Sequence, residues 1–259
     1  MKKLSILSIF IFSLAFTSFL DCNKSDEKIT DSAQVVNSEM NETNETEPTV
    51  IRILPLGDSR VEGATTNSVS YRYDLWKQLV EDRWNFDYIG TQNDNTSYPV
   101  LLGKYFDPDH QGIGGYKTQD ILDNLVDIIE DVGIPDVVLL GIGGNDLVAN
   151  VPVSTAIENI NQTIDILQNY NVNITIFLER IAPGRSNVMT PEAIVIYNSF
   201  NESIMTLANE QTNSSSKIIA IDMTTDWTDN YMADNLHYNA MGAEEVARRY
   251  YAAIEVHLK

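Results

Sequence analysis

Ser59, His237 and Asp234 carry the three side chains that acyl transfer through a serine requires, provided that the fold brings them together. Ser59 lies in Leu54-Pro55-Leu56-Gly57-Asp58-Ser59-Arg60, directly after the apolar, β-branched run Val50-Ile51-Arg52-Ile53. A serine hydroxyl needs a base within hydrogen-bond reach, a group orienting that base, and donors aimed at the developing oxyanion. The chain has 3 histidines, so the base can be sought by elimination. His257 falls on the outer turns of a final helix, and His110 lies in the turn-like Asp107-Pro108-Asp109-His110. His237 follows Asp234 by three positions in Asp234-Asn235-Leu236-His237, just before a helix start at Asn239-Ala240-Met241-Gly242. A loop that short can hold the carboxylate against the imidazole nitrogen facing away from the serine, fixing the tautomer. An Asp-x-x-His pair alone is as readily structural.

Two glycine-containing segments offer oxyanion donors. Gly143-Gly144-Asn145-Asp146 ends the apolar run Val137–Ile142. These residues favour turns in any protein, but the Asn145 side-chain amide is also a suitable donor. Gln111-Gly112-Ile113-Gly114-Gly115-Tyr116 leads into a helix from Thr118. Its glycines let a backbone N–H point into a cleft, or simply make a flexible loop.

The positioning elements follow from periodicity. Val137–Ile142, Ile174–Leu178, Ile218–Ile221 and the shorter Phe86–Ile89 read as buried strands. Tyr71–Arg83 reads as a helix. So do the stretch around Ile121, Leu125 and Ile128, stopped by Gly133 and Pro135, and the stretch with Ile157, Ile160, Ile164 and Leu167, with Thr155 and Glu158 as a capping box. Strands separated by helices imply right-handed crossovers. The expectation is a three-layer α/β/α sandwich with a parallel, about five-stranded sheet, whose carboxyl edge holds the cleft.

Length and charge narrow the classes. A chain of 259 residues, 43% hydrophobic and 21% charged, is expected to form one domain. A net charge of −20 argues against nucleic-acid binding and against electrostatic attachment to anionic lipid. Residues 1–22 have the layout of a secretory signal: Lys2 and Lys3, then an uncharged run from Leu4 to Leu20. Cys22, the 1 cysteine present, stands where a bacterial lipoprotein signal is lipidated, although Asp21 replaces the small residue usual before it. An ordinary cleaved signal or an uncleaved anchor is the alternative. Residues 23–49, with Asn-Glu-Thr repeated at 41–43 and 44–46, read as a disordered acidic linker, and residues 50–259 as the catalytic domain.

Taken together, Gly57-Asp58-Ser59, Gly115, Gly143-x-Asn145-Asp146 and Asp234-x-x-His237 resemble the four blocks of the SGNH (GDSL-type) hydrolases, over about residues 50 to 256. Within that superfamily the chain is most similar to carbohydrate esterase family 3, through Ile53–Ser59, Ser70-Tyr71-Arg72 with Leu75-Trp76, Asp87–Thr91, and His110-Gln111-Gly112 into Gly115-Tyr116. The resemblance implies the flavodoxin-like SGNH fold, Ser59 as nucleophile, His237 as base and Asp234 as its orienter. It implies an oxyanion hole from the Ser59 and Gly115 backbone N–H groups and the Asn145 amide, with no metal or other cofactor. Arg60 and Gly114 depart from the usual pattern. Arg60 could pair with a carboxylate or reach the substrate. Arg60, Tyr116 and Trp227 are the candidate substrate contacts, and Tyr98, Tyr105, Phe106 and Tyr231 further aromatics that could stack on sugar rings.

The expected function is therefore an exported serine esterase of the bacterial envelope, a lipoprotein or secreted, removing acetyl or other short acyl groups from carbohydrate esters. Its partner is an acylated carbohydrate, with membrane contact only through an N-terminal lipid. Two alternatives are a lysophospholipase or thioesterase for longer acyl chains, which requires a continuous apolar groove beside Ser59, and a non-catalytic glycan-binding surface protein.

Overall fold

The computed structural model describes residues 49–63, 70–94 and 96–259. The expected signal, Cys22 and nearly all of the linker lie outside the described residues. Among the described residues, seven strands form one sheet: β1 (Ile51–Gly57), β2 (Phe86–Tyr88), β3 (Gln92–Asn93), β4 (Asp109–Gly112), β5 (Val137–Gly141), β6 (Thr175–Arg180) and β7 (Lys217–Asp222). The helices are α1 (Ser59–Glu62), α2 (Tyr71–Glu81), α3 (Thr118–Val132), α4 (Gly144–Val148), α5 (Val153–Tyr170), α6 (Pro191–Gln211) and α7 (Ala240–Leu258), with a 3₁₀ turn at Asp229–Tyr231.

The strand order is β3-β4-β1-β5-β6-β7, with β2 also on β1. Every pairing is parallel except β3 with β4. Sequence periodicity anticipates five strands, and the difference lies at one edge. β2 pairs with the first half of β1 (Ile51–Ile53) and β4 with its last two residues (Leu56, Gly57), so the two follow each other along the same side. His110 is thus buried within β4, not in a turn, and its Nδ1 accepts from the Gly112 N–H at 3.0 Å.

Alternation along the strands divides the core between the two faces. Leu54, Leu56, Val138, Leu140, Ile176 and Leu178 pack with α3, α5 and α6. Ile53, Val137, Leu139, Phe177 and Ile221 pack with α2 and α7. Burial on both sides is why these strands read as unbroken apolar runs. One helix start differs from the sequence reading. α5 begins at Val153 with Pro152 as its cap, and the Thr155 N–H already bonds the Pro152 carbonyl at 2.9 Å. Thr155 is therefore inside the first turn and cannot form the expected capping box, because the fixed φ of Pro152 (−55°) sets the helix going earlier.

Three strands end on glycine at the same level, Gly112 and Gly141 flanking Gly57. A Cβ on Gly57 would lie 2.0 Å from the Gly141 carbonyl oxygen, and one on Gly112 would lie 2.3 Å from the Glu62 nitrogen. This bare strip lets α1, which starts with Ser59, sit directly on the carboxyl edge of the sheet.

Candidate active site

The site grows out of that edge. Asp58 caps α1, accepting from the Arg60 N–H at 2.9 Å, and leaves Ser59 as the first helical residue. Burial pushes the Asp58 carboxyl up, and the adjacent Arg60 charge acts in the opposite direction. The Ser59 Oγ is 3.0 Å from His237 Nε2, and His237 Nδ1 is 2.8 Å from Asp234 Oδ2. The other Asp234 oxygen accepts the backbone N–H groups of Leu236 and His237, each at 2.8 Å. Partial burial opposes ionisation of Asp234, but these donors and the imidazole outweigh it and hold the carboxyl at about 2. The loop is closed on itself by an antiparallel bridge between Met232 and Tyr238 and by the Ala233 N–H on the His237 carbonyl at 2.8 Å.

The opposite wall comes from the segments before α3 and after β5. Gly115 has φ +82°, a conformation suited to glycine, and a Cβ there would meet nothing within 4 Å, so it borders open space. Asn145 Nδ2 donates one N–H to the Tyr116 carbonyl at 2.9 Å, leaving a second amide N–H on the same nitrogen. Behind them Asp146, 1% exposed, accepts from the Thr118 N–H at 3.0 Å and its hydroxyl at 2.7 Å, and Asn159 donates to that hydroxyl at 3.1 Å. Asp146 thus ties the start of α3 to α4 and fixes the distance between Gly115 and Asn145. The Gly-Gly-Asn-Asp pattern marked a turn in the sequence and hid this role.

Asp58, Ser59, Arg60, Glu62, Gly114, Gly115, Gly144, Asn145, Leu236 and His237 line a pocket of about 340 Å³. Glu62 was not anticipated. A side chain on Gly114 would come within 2.8 Å of its carboxylate, so glycine there makes room for it.

The substrate contacts read from sequence fare differently. Arg60 borders the pocket, yet its guanidinium is committed to backbone carbonyls, of Leu236 at 2.8 Å and Ala182 at 2.7 Å, and lies over the Tyr238 ring at 5.0 Å. It braces the histidine loop from below. Tyr116 contributes its carbonyl, while its ring packs against the core. Trp227 lies outside the pocket, packed on Tyr231 and Tyr238 at 5.0 and 5.2 Å. Tyr98 and Phe106 pack on each other at 4.5 Å and on Tyr73, and Tyr105 is 82% exposed. Tyr98, Phe106, Trp227 and Tyr231 are absent from the pocket lining because neighbouring rings claim their faces.

A second hollow of about 510 Å³ adjoins the first, sharing Arg60, Gly144 and Leu236 with it. Its walls include Leu147, Val148, Ile181, Val188 and Met189. An apolar groove thus adjoins the Ser59 pocket, the feature that the longer-acyl alternative calls for.

A three-layer α/β/α hydrolase fold with serine, imidazole and carboxylate aligned at one sheet edge defines the class. The chain belongs to the GDSL-like lipase/acylhydrolase family, which matches residues 56–244, and is by that membership a carboxylic ester hydrolase. A family 3 carbohydrate esterase from Clostridium thermocellum is 26% identical with a TM-score of 0.66, covering 80% of this chain and 97% of that one. A carbohydrate esterase family 3 structure from Talaromyces cellulolyticus shares the fold at 22% identity and a TM-score of 0.69, again covering 80% and 97%. A multidomain esterase of Ruminococcus flavefaciens is 25% identical over 224 residues, which is 81% of this chain but only 29% of that protein.

Proposed function

We propose that this protein is an exported serine esterase that removes short acyl groups from carbohydrate hydroxyls through an acyl-enzyme. The observation carrying the reading is the unbroken line from the Asp234 carboxylate through the His237 ring to the Ser59 hydroxyl, at 2.8 and 3.0 Å. His237 Nε2 takes the proton as Ser59 Oγ attacks the ester carbonyl. The tetrahedral oxyanion accepts from the Ser59 and Gly115 backbone N–H groups and from the second amide N–H of Asn145. Collapse expels the alcohol oxygen, which receives the proton from His237. Water, deprotonated by the same imidazole, then releases the acid and restores Ser59. Asp234 holds the ring in the working tautomer and stabilises the imidazolium.

The carbohydrate assignment is supported by the likeness to family 3 carbohydrate esterases and by a pocket rim at Glu62 and Gly114 suited to sugar hydroxyls. Ser59→Ala should abolish both nitrophenyl acetate hydrolysis and fluorophosphonate labelling while leaving the fold intact, and retention of either overturns the assignment. Acetate release from a panel of acetylated polysaccharides tests the alcohol; activity on simple esters with none on the polymers would refute that part. Envelope attachment rests on Cys22 after the uncharged run Leu4–Leu20. Labelled fatty acid should enter the expressed protein and not its Cys22→Ser variant.

A further inference from the structure

One charged side chain in the catalytic pocket has no task within the protein. Asp58 caps α1, Arg60 is spent on backbone carbonyls, and His237 is held by Asp234. Among the described residues, nothing donates to the Glu62 carboxylate or forms an ion pair with it. Its backbone, by contrast, is tightly held. The Glu62 N–H bonds the Asp58 carbonyl at 3.0 Å, and the fully buried Arg72 donates to the Val61 and Glu62 carbonyls at 3.1 Å each. The point where a Gly114 Cβ would stand is 2.8 Å from Glu62 Oε2 and 4.0 Å from the Ser59 Cβ. Carboxylate and nucleophile thus border one gap, which glycine keeps open.

A carboxylate accepts hydrogen bonds and donates none, so its partner in that gap is a donor or a cation. An acetyl or similar short acyl group is neither. The partner therefore belongs to the alcohol half of the ester. A negatively charged alcohol would meet a like charge there, and Arg60, the one Lys or Arg side chain lining the pocket, is not free to offset it. We propose that Glu62 selects the alcohol: it accepts from a hydroxyl or ammonium group close to the acylated oxygen and turns away alcohols with an anionic group in that place. The substrates are then esters of neutral or amino sugars with a free donor beside the ester, not of uronic acids or of sugar sulfates and phosphates. This rests on Ser59 being the acylated nucleophile, as argued above.

The test fixes the acyl group and varies the alcohol, following acetate release from hydroxyethyl acetate, methoxyethyl acetate, acetylcholine and sulfoethyl acetate with the full chain. The kcat/KM for hydroxyethyl acetate should exceed that for methoxyethyl acetate by roughly tenfold, the worth of a hydrogen bond to a charged group. It should exceed that for sulfoethyl acetate by about 100-fold at low salt, a gap that narrows as salt is added, and acetylcholine should lie near the hydroxyl ester. Glu62→Gln still accepts but carries no charge, and should cut the hydroxyethyl-to-sulfoethyl ratio by about tenfold. Glu130→Gln removes the same charge at an exposed site near the far end of α3 and should leave the ratio unchanged. Because each variant is read as a ratio, a general loss of activity cancels. Equal rates on the four esters, or the parent's ratio in Glu62→Gln, overturns the role of Glu62 while leaving the esterase reading intact. An equal drop in both variants traces the discrimination to the net charge of −20 and overturns it too. Absence of hydrolysis of every ester, together with absence of fluorophosphonate labelling, overturns both readings at once.

Discussion

Two carboxylates flank the catalytic pocket and solve opposite problems. Asp146 is 1% exposed and accepts two hydrogen bonds from Thr118, locking the proposed oxyanion wall into the core. The Asp234 side chain is 57% exposed and spends its hydrogen bonds on its own loop and on the His237 ring. The oxyanion wall is thus positioned by the same buried contacts that stabilise the fold. The base is positioned by a short surface loop whose closure is local, with Arg60 joining it to the nucleophile. Removing a buried polar partner should therefore cost stability along with rate, and removing the exposed one should cost rate almost alone.

The largest effect on rate tests the exposed side. Asp234→Asn keeps the shape of the side chain but presents a donor or a weak acceptor to Nδ1, so kcat should fall by roughly 10⁴-fold through the wrong tautomer. The melting temperature should change little. A variant that unfolds several degrees earlier would show that the loop closure, too, belongs to the fold, and would erase the contrast. Next in size is Asn145→Ala, which removes one oxyanion donor and should lower kcat by about 100- to 1000-fold with a modest effect on KM. An equal loss in KM and none in kcat would mean that the amide binds the ground state instead.

A smaller rate effect with a larger stability effect is expected on the buried side. Asp146→Ala leaves the Thr118 N–H and hydroxyl without their acceptor, at a cost of about 1–3 kcal/mol. Denaturant unfolding should register that loss, and kcat should drop less than in Asn145→Ala. If stability is unchanged, the buried wall is not what holds Asn145 in place.

The sequence makes the proposed reacting residues visible for a physical reason. Ser59, Asn145 and His237 sit on short turns at element ends, where local residue types decide the backbone and hence the direction of the side chain. β4 escapes that logic. Asp109-His110-Gln111-Gly112 looks polar, and its burial depends on distant partners: His110 lies 3.4 Å from Asp94, which the fully buried Arg72 pairs at 2.6 Å. Arg60 is legible as an oddity beside the nucleophile, but not as a brace, since Leu236 and Ala182 lie 176 and 122 residues away. The loop aromatics mislead because their rings stack on one another, which residue type alone does not reveal. The groove draws its walls from α4, the end of β6, the start of α6 and the histidine loop, and no window of sequence contains it.

A third carboxylate separates burial from hydrogen bonding in the comparison. Glu179 on β6 is 3% exposed, accepts the Tyr250 hydroxyl at 2.6 Å, and has no backbone N–H of the kind that serves Asp234. Burial raises it from 4.5 to about 7, against the lowering effects of Tyr250 and the Arg60 charge. An unfolded chain ionises this group near 4.5, so between roughly pH 4.5 and 7 the folded state holds a proton that the unfolded state has released. Stability from this group is then complete below that window and declines as pH rises through it. Glu179→Gln keeps the acceptor for Tyr250 and removes the titration. Its melting temperature should stay flatter than that of the parent from pH 5 to 8, with the variant gaining relative stability as pH rises and with kcat at pH 6 within a few fold of the parent. Parallel melting curves across that range would mean that Glu179 is ionised in the fold at all these pH values, its charge balanced by Arg60. The nucleophile and the histidine loop would then share a buried ion pair behind them, and the division between a core-held wall and a surface-held base would no longer stand.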